Sequence, residues 1–231
     1  LSISDTRESD STRPRQDRWI AVKFKTQLVE AGKPVYFLAW TTTPWTLPSN
    51  LALAVNPEIE YVKVKDGDEC YILAKERLVS YYKNEADYEL IWTKPGKELV
   101  GTEYEPMFPY FAELAEKGAF KVFPAEYVTT EDGTGIVHTA NGFGEDDYNT
   151  LKGTGIPVVC PVDAECKFTA DVPDYQGRFV KDCDKDIIAR LKGEGKLVLR
   201  QQYVHNYPHC WRCHSPLIYR AISSWFVDVP K

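Results

Sequence analysis

The chain has 231 residues, 43% hydrophobic and 27% charged, with a net charge of −6. That composition is globular, and at about 150 residues per domain the length implies one large domain or one domain with attached pieces. The acidic balance excludes a protein that coats nucleic acid nonspecifically, so a nucleic-acid partner has to be bound locally.

In chain order, residues 1–18 hold four acids and four arginines but only Leu1 and Ile3 as large apolar side chains. That is too little apolar surface to offset chain entropy, and the stretch reads as a disordered linker. From Trp19 the texture changes. WIAVKFK (19–25), PVYFLAW (34–40), IEYVKVK (59–65), ECYILA (69–74) and YELIW (88–92) are short β-branched and aromatic runs separated by turn formers, the pattern of strands. Their short separations favour antiparallel pairing. Helix formers with Gly or Pro near their ends predict helices over 75–84, 108–117, 145–152 and 182–192. The fold class is therefore mainly β with helical excursions (α+β), a closed or nearly closed β-barrel.

The last third differs. From Gly195 to Val227 there are four basic residues and no acid, with His205, His209 and His214 and several aromatics interleaved. This composition suits stacking on bases or packing on another protein body, and equally an ordinary aromatic hairpin. The longest apolar run, 35–40, is far short of the ~20 residues that cross a bilayer, and the N-terminus has no signal-peptide pattern. A cytoplasmic protein with no membrane partner is expected, its six cysteines reduced or bound to metal.

Three segments can carry chemistry. In Thr41-Thr42-Thr43-Pro44-Trp45-Thr46-Leu47-Pro48-Ser49-Asn50, three consecutive threonines follow an apolar strand and cannot all face a core. Their hydroxyls either position a water or an oxyanion or cap their own turn. In the second, the strand 135–139 ends with His138 beside a Gly-rich loop, and Asp147 follows nine residues later near a helix start. An imidazole and a carboxylate joined by such a loop can bind an ammonium, orient a water or exchange a proton. The alternatives are a core histidine and acids that complement a helix dipole. The glycines do not fit a dinucleotide-binding GxGxxG. The third is the CxxC knuckle Cys210-Trp211-Arg212-Cys213, flanked by His209 and His214. It supplies two zinc ligands where a structural site needs four. Either one of those histidines completes a mixed site, or the knuckle is half of a site whose other half lies outside this chain.

Together, TTTPWTLPSN, GTGIVH followed by GEDDY, and HCWRCHSPLIYR with SWFV resemble, in that order, the inserted (CP1) editing domain of isoleucyl-tRNA synthetase. The resemblance runs from Trp19 to Lys231. Valyl and leucyl enzymes typically show TTRP and lack the histidine after GTGxV, so Thr43 and His138 point to the isoleucine branch. It implies an editing β-barrel over 19–204 and, over 205–231, a segment leading back to a catalytic body. No HIGH-like or KMSKS-like sequence is present, so the parts that activate an amino acid with ATP are expected to be missing and the chain to be an excised insert.

The implied activity is hydrolysis of valine misattached to the 3′ end of tRNA(Ile), with valyl adenylate as a second candidate substrate. By resemblance, Asp147 holds the α-ammonium, Thr41, Thr42, Thr43 and Trp45 line the pocket and place the water, and His138 excludes isoleucine and positions the terminal adenosine. No cofactor is implied for editing. Zinc at Cys210 and Cys213 would need ligands outside the chain, since the family's first CxxC knuckle lies before it. The family pattern has proline after His-x-Ala; here Asn141 stands there, which leaves the loop between His138 and Asp147 less restricted in φ. The rival readings are a non-catalytic tRNA-docking or interdomain module, a free-standing deacylase, and the editing domain of a valyl or leucyl enzyme.

Overall fold

A computed structural model describes residues 12–212 and 214–225, with Tyr203 and His205 as backbone alone. Nine strands and three short α-helices follow in chain order: β1 Thr12–Glu30, β2 Lys33–Thr41, β3 Ala52–Val55, β4 Glu60–Asp66, β5 Glu69–Ala74, α1 Leu78–Tyr81, β6 Glu89–Pro95, β7 Lys121–Pro124, β8 Ile136–Thr139, α2 Glu145–Leu151, α3 Asp184–Gly193 and β9 Leu197–Pro208. The five strands expected from β-branched and aromatic runs are all present, as β1, β2, β4, β5 and β6. Of the expected helices, 145–152 and 182–192 match α2 and α3 closely. Residues 75–84 form one 3-10 turn and α1, and 108–117 yield only a 3-10 helix, Ala112–Lys117. Residues 12–18, read as linker from their charge, are instead the outer half of β1, because pairing with β9 satisfies their backbone while their charged side chains stay in or near solvent. Residues 1–11 of that expected linker lie outside the described residues.

The sheet runs β6-β4-β5-β2-β8-β3-β7 and curls into a half-barrel, with β1 on the other edge of β2 and β9 beyond it. β1 and β2 form a hairpin closed by Ala31 and Gly32, both at positive φ (48° and 81°), the geometry of the tight turn that matches strand twist. Pairing is mixed. β2 is parallel to β5 along Val35–Phe37 and to β8 at Trp40↔Val137, whereas β3 is antiparallel to β8 and parallel to β7.

The curl is nearly closed by irregular chain. Residues 101–105 bond the free edge of β7 (Val122 N–H to Thr102 O, 3.0 Å) and then reach β1 (Glu105 N–H to Lys25 O, 2.7 Å). Inside, Phe24, Tyr104 and Phe120 meet edge to face, with Ile20, Phe37, Leu53 and Ile136 fully buried around them. Each such side chain contributes about 1.5–3 kcal/mol of burial. α3 packs on this core through Ile187, Ile188 and Leu191. The barrel thereby fixes the ends of β2 and β8 side by side, and those ends carry the threonines and His138.

Candidate active site

At Thr41 the β2 ladder ends, and Pro44 and Pro48 turn the chain into a buried 3-10 helix, Pro44–Ser49. β8 ends alongside with His138 and Thr139, and the glycine loop delivers α2 across the opening. The result is a cleft of about 220 Å³ lined by Trp40, Thr41, Thr42, Thr43, Thr46, Val137, His138, Phe143 and Asp147. Sequence-expected Thr41, Thr42, Thr43, His138 and Asp147 therefore meet in one place. Trp45, expected at the wall, is instead buried behind it, because its ring packs edge-on against Phe143 at 4.9 Å and Phe143 faces the cleft.

His138 is only 6% exposed, and both ring nitrogens are engaged: Nδ1 lies 2.9 Å from Asn50 Nδ2 and Nε2 lies 2.9 Å from Thr46 Oγ1. The direction of these bonds follows from the network. Asn50 Nδ2 also bonds the Ala52 carbonyl at 2.9 Å, which identifies it as the amide nitrogen, and Asn50 Oδ1 accepts from Tyr104 Oη at 2.7 Å. Burial holds the Tyr104 phenol well above its usual pKa, so it is a neutral donor. His138 Nδ1 must then accept, and the ring proton sits on Nε2 and is given to Thr46. Burial alone lowers the His138 pKa to about 3, which keeps the ring neutral. A neutral imidazole with both nitrogens committed is poorly placed to act as a base.

The hydroxyl chain continues outward. Thr46 Oγ1 donates to the Thr43 carbonyl (2.8 Å), so Thr43 Oγ1, 3.2 Å away, donates to Thr46 Oγ1, and Thr41 Oγ1 donates to Thr43 Oγ1 across 3.3 Å while accepting the Thr43 N–H. Thr43 Oγ1 is left with one open lone pair and no spare proton, which lets it hold a water through one of the water's own hydrogens. Thr42 also faces the cleft.

Asp147 closes the far side. Gly144, which precedes α2, has no side chain to crowd it; a Cβ there would lie 3.3 Å from the Asp147 carboxyl carbon. The carboxylate turns back to accept the Ala140 N–H through Oδ2 at 2.8 Å. Burial pushes its pKa up to about 6, with the Ala140 bond opposing. A half-desolvated carboxylate of this kind gains from a cation. Asn141, where the family pattern has proline, fixes the loop by side-chain bonds instead: Nδ2 donates to Pro157 O and Oδ1 accepts the Val159 N–H.

Sequence reasoning missed Asn50 as a site residue. Nothing local in the sequence marks it, because its partners His138 and Tyr104 lie 88 and 54 residues away. Of the knuckle, Cys213 lies outside the described residues. Cys210 is buried, His209 Nδ1 donates to the Tyr207 carbonyl, and His214 Nδ1 accepts from Arg13. Among the described residues no group of three or more metal-ligating side chains occurs. Nor, among them, is any helix long and apolar enough to cross a membrane.

No protein-family model matches the chain. Among solved structures, the editing domain of P. knowlesi cytosolic leucyl-tRNA synthetase superposes with a TM-score of 0.61 at 12% identity, covering 86% of this chain and 100% of that one. GlLeuRS-CP1 gives the same score at 16% identity, covering 79% and 98%. The chain therefore has the fold of the leucyl-tRNA synthetase CP1 and editing domains. Sequence narrows the class. The chain is 56% identical to an isoleucine–tRNA ligase of Treponema denticola over 93% of its own length, and 51% identical to one of Corynebacterium diphtheriae over 100%. It belongs with the isoleucyl-tRNA synthetases as their CP1 editing domain. It spans about a fifth of the length of those relatives, 22% and 23%.

Proposed function

We propose that this cleft hydrolyses the ester joining valine to the 3′ end of tRNA(Ile). The observation that carries the reading is the pairing, across one small cleft, of a half-desolvated carboxylate with a hydroxyl chain that ends on an open acceptor. Asp147 would take the α-ammonium, which returns to the buried carboxylate the solvation it lacks. Thr43 Oγ1 would accept a hydrogen from the attacking water and turn its lone pair to the ester carbonyl, with Thr41 and Thr42 framing that position. The water adds to the carbonyl carbon, and the ribose oxygen leaves as a hydroxyl carrying a proton.

Selection against isoleucine would rest on volume. Valine offers no group that isoleucine lacks, so no additional hydrogen bond can favour it, whereas a wall at the extra methylene can exclude isoleucine. A pocket can use one methylene for only about 1–3 kcal/mol, isoleucyl-tRNA synthetases being the standard illustration, which is why a second, hydrolytic site is needed. His138, buried and neutral, suits that wall. The partners in this reading are the valine-bearing 3′ end of tRNA(Ile) and the remainder of the synthetase; the tail, where Trp211, Tyr219 and Trp225 are exposed, suits contact with either. The test is release of valine from valyl-tRNA(Ile) by the protein and by Asp147→Ala. Loss of release in the variant with its fold intact supports the assignment, and near-parental turnover overturns it.

A further inference from the structure

We propose that Asp184 is a positioning residue for the cleft, holding the Pro44–Ser49 helix from α3 so that the Thr43 hydroxyl is left free to face the reacting water. The inference rests on the hydrolytic reading above and concerns a residue outside the cleft. Thr43 occupies the N-cap position of that helix, where a threonine hydroxyl ordinarily accepts an N–H of the first turn. Here it caps nothing: its oxygen bonds Thr41 and Thr46 instead. The N–H it leaves, that of Trp45, is taken by Asp184 Oδ1 at 2.9 Å, from 139 residues away in sequence.

The acceptor in this cap is firmly placed. Asp184 opens α3, a helix of ten residues anchored in the main core by Ile187, Ile188 and Leu191. Lys181 and, from β1, Arg15 and Asp17 are the charged groups around the carboxylate. The entire Pro44–Ser49 helix is buried, so water cannot substitute for a lost cap, and the Trp45 N–H would have to find a protein partner. The nearest acceptor in chain terms is Thr43 Oγ1. Its turn onto that N–H would break the chain Thr41–Thr43–Thr46 and withdraw the open lone pair from the cleft. Movement of Trp45 would also shift Phe143, the wall on which it packs.

The test is a mutant cycle on valyl-tRNA(Ile) deacylation, run in a full-length isoleucine–tRNA ligase carrying this segment. Asp184→Ala should lower kcat by about tenfold to a hundredfold, the usual cost of misplacing a reacting group, with KM within about twofold. Asp184→Asn keeps the accepting oxygen and should restore the rate. Because the residue acts through Thr43, Asp184→Ala should add nothing to Thr43→Ala, whereas independent structural damage would multiply. A parental rate in Asp184→Ala, failure of Asp184→Asn to rescue, or multiplicative effects would each overturn the proposal. If Asp184→Ala does not fold, Asp184→Glu, which displaces the carboxylate by one methylene, replaces it in the cycle. A crystal structure of the folded variant decides independently of activity: Thr43 Oγ1 turned onto the Trp45 N–H supports the proposal, and an unmoved hydroxyl defeats it. A parent enzyme that leaves valyl-tRNA(Ile) intact would defeat the hydrolytic reading, while the Thr43 position still decides this one.

Discussion

Asn50→Ala removes the hub on which the His138 tautomer depends. The side chain makes three bonds, to Ala52 O, His138 Nδ1 and Tyr104 Oη, and it is 4% exposed, so water does not replace it. The variant strands His138 Nδ1 and Tyr104 Oη. At about 1–3 kcal/mol for each buried unsatisfied group, the loss is roughly 2–6 kcal/mol, against about 5–15 kcal/mol for a typical domain. For a domain of this length that is a fall in Tm of roughly 4–24 °C, at about 2–4 °C per kcal/mol. A thermal melt followed by circular dichroism reads it, with valyl-tRNA(Ile) deacylation measured well below the new Tm. Imidazole ¹⁵N shifts supply the control: the parent ring stays neutral, with its proton on Nε2, at least down to about pH 5. A variant melting within about 2 °C of the parent would refute the reasoning, since His138 and Tyr104 would then have other partners.

Two further perturbations probe the rest of the cleft. Asp147 must be ionised to hold an ammonium, and its pKa stands at about 6, so kcat/KM should fall about tenfold per pH unit below that value; a flat profile down to about pH 5 would contradict the role. The stability sign is opposite. A carboxyl raised above its unfolded value of 3.8 contributes fully below that pH and loses its contribution as pH rises through about 6. Asp147→Asn should therefore be the more stable protein at pH 7.5, by up to roughly 3 kcal/mol in a denaturant titration, and equal stability would remove burial as the cause. Gly133 has φ +67° and a Cβ there would lie 2.2 Å from the Trp40 ring; Gly133→Ala should cost about 1–3 kcal/mol and slow deacylation by displacing Trp40 from the cleft wall, and an unchanged rate would take Trp40 out of the site.

Much of the fold was legible because the barrel strands announce themselves by composition. PVYFLAW can be little else than β2, and GTGIVH ends in the strand that presents His138. Strand β3 was missed because Ala52–Val55 is only four residues long and buried at every position, so it shows no polar–apolar alternation. The outer half of β1 was missed for the opposite reason: charged composition indicates exposure, and an exposed ribbon paired with β9 looks locally like a linker. Within the site, threonines, His138 and Asp147 were visible as residue types out of place. Their roles were not equally visible. That His138 accepts at Nδ1 is decided by Asn50 and Tyr104, and that Thr43 is released from capping is decided by Asp184, contacts that span 54 to 139 residues and leave no local trace.

The central claim, a hydrolytic cleft that selects by volume with His138 as its wall, is tested most directly by comparing deacylation of valyl-tRNA(Ile) and isoleucyl-tRNA(Ile) by the parent and by His138→Ala. The parent should release valine and spare isoleucine, and the variant, with the wall cut back, should release both. If His138→Ala loses the valyl activity and gains none on the isoleucyl ester, His138 serves chemistry or folding and the volume account is wrong.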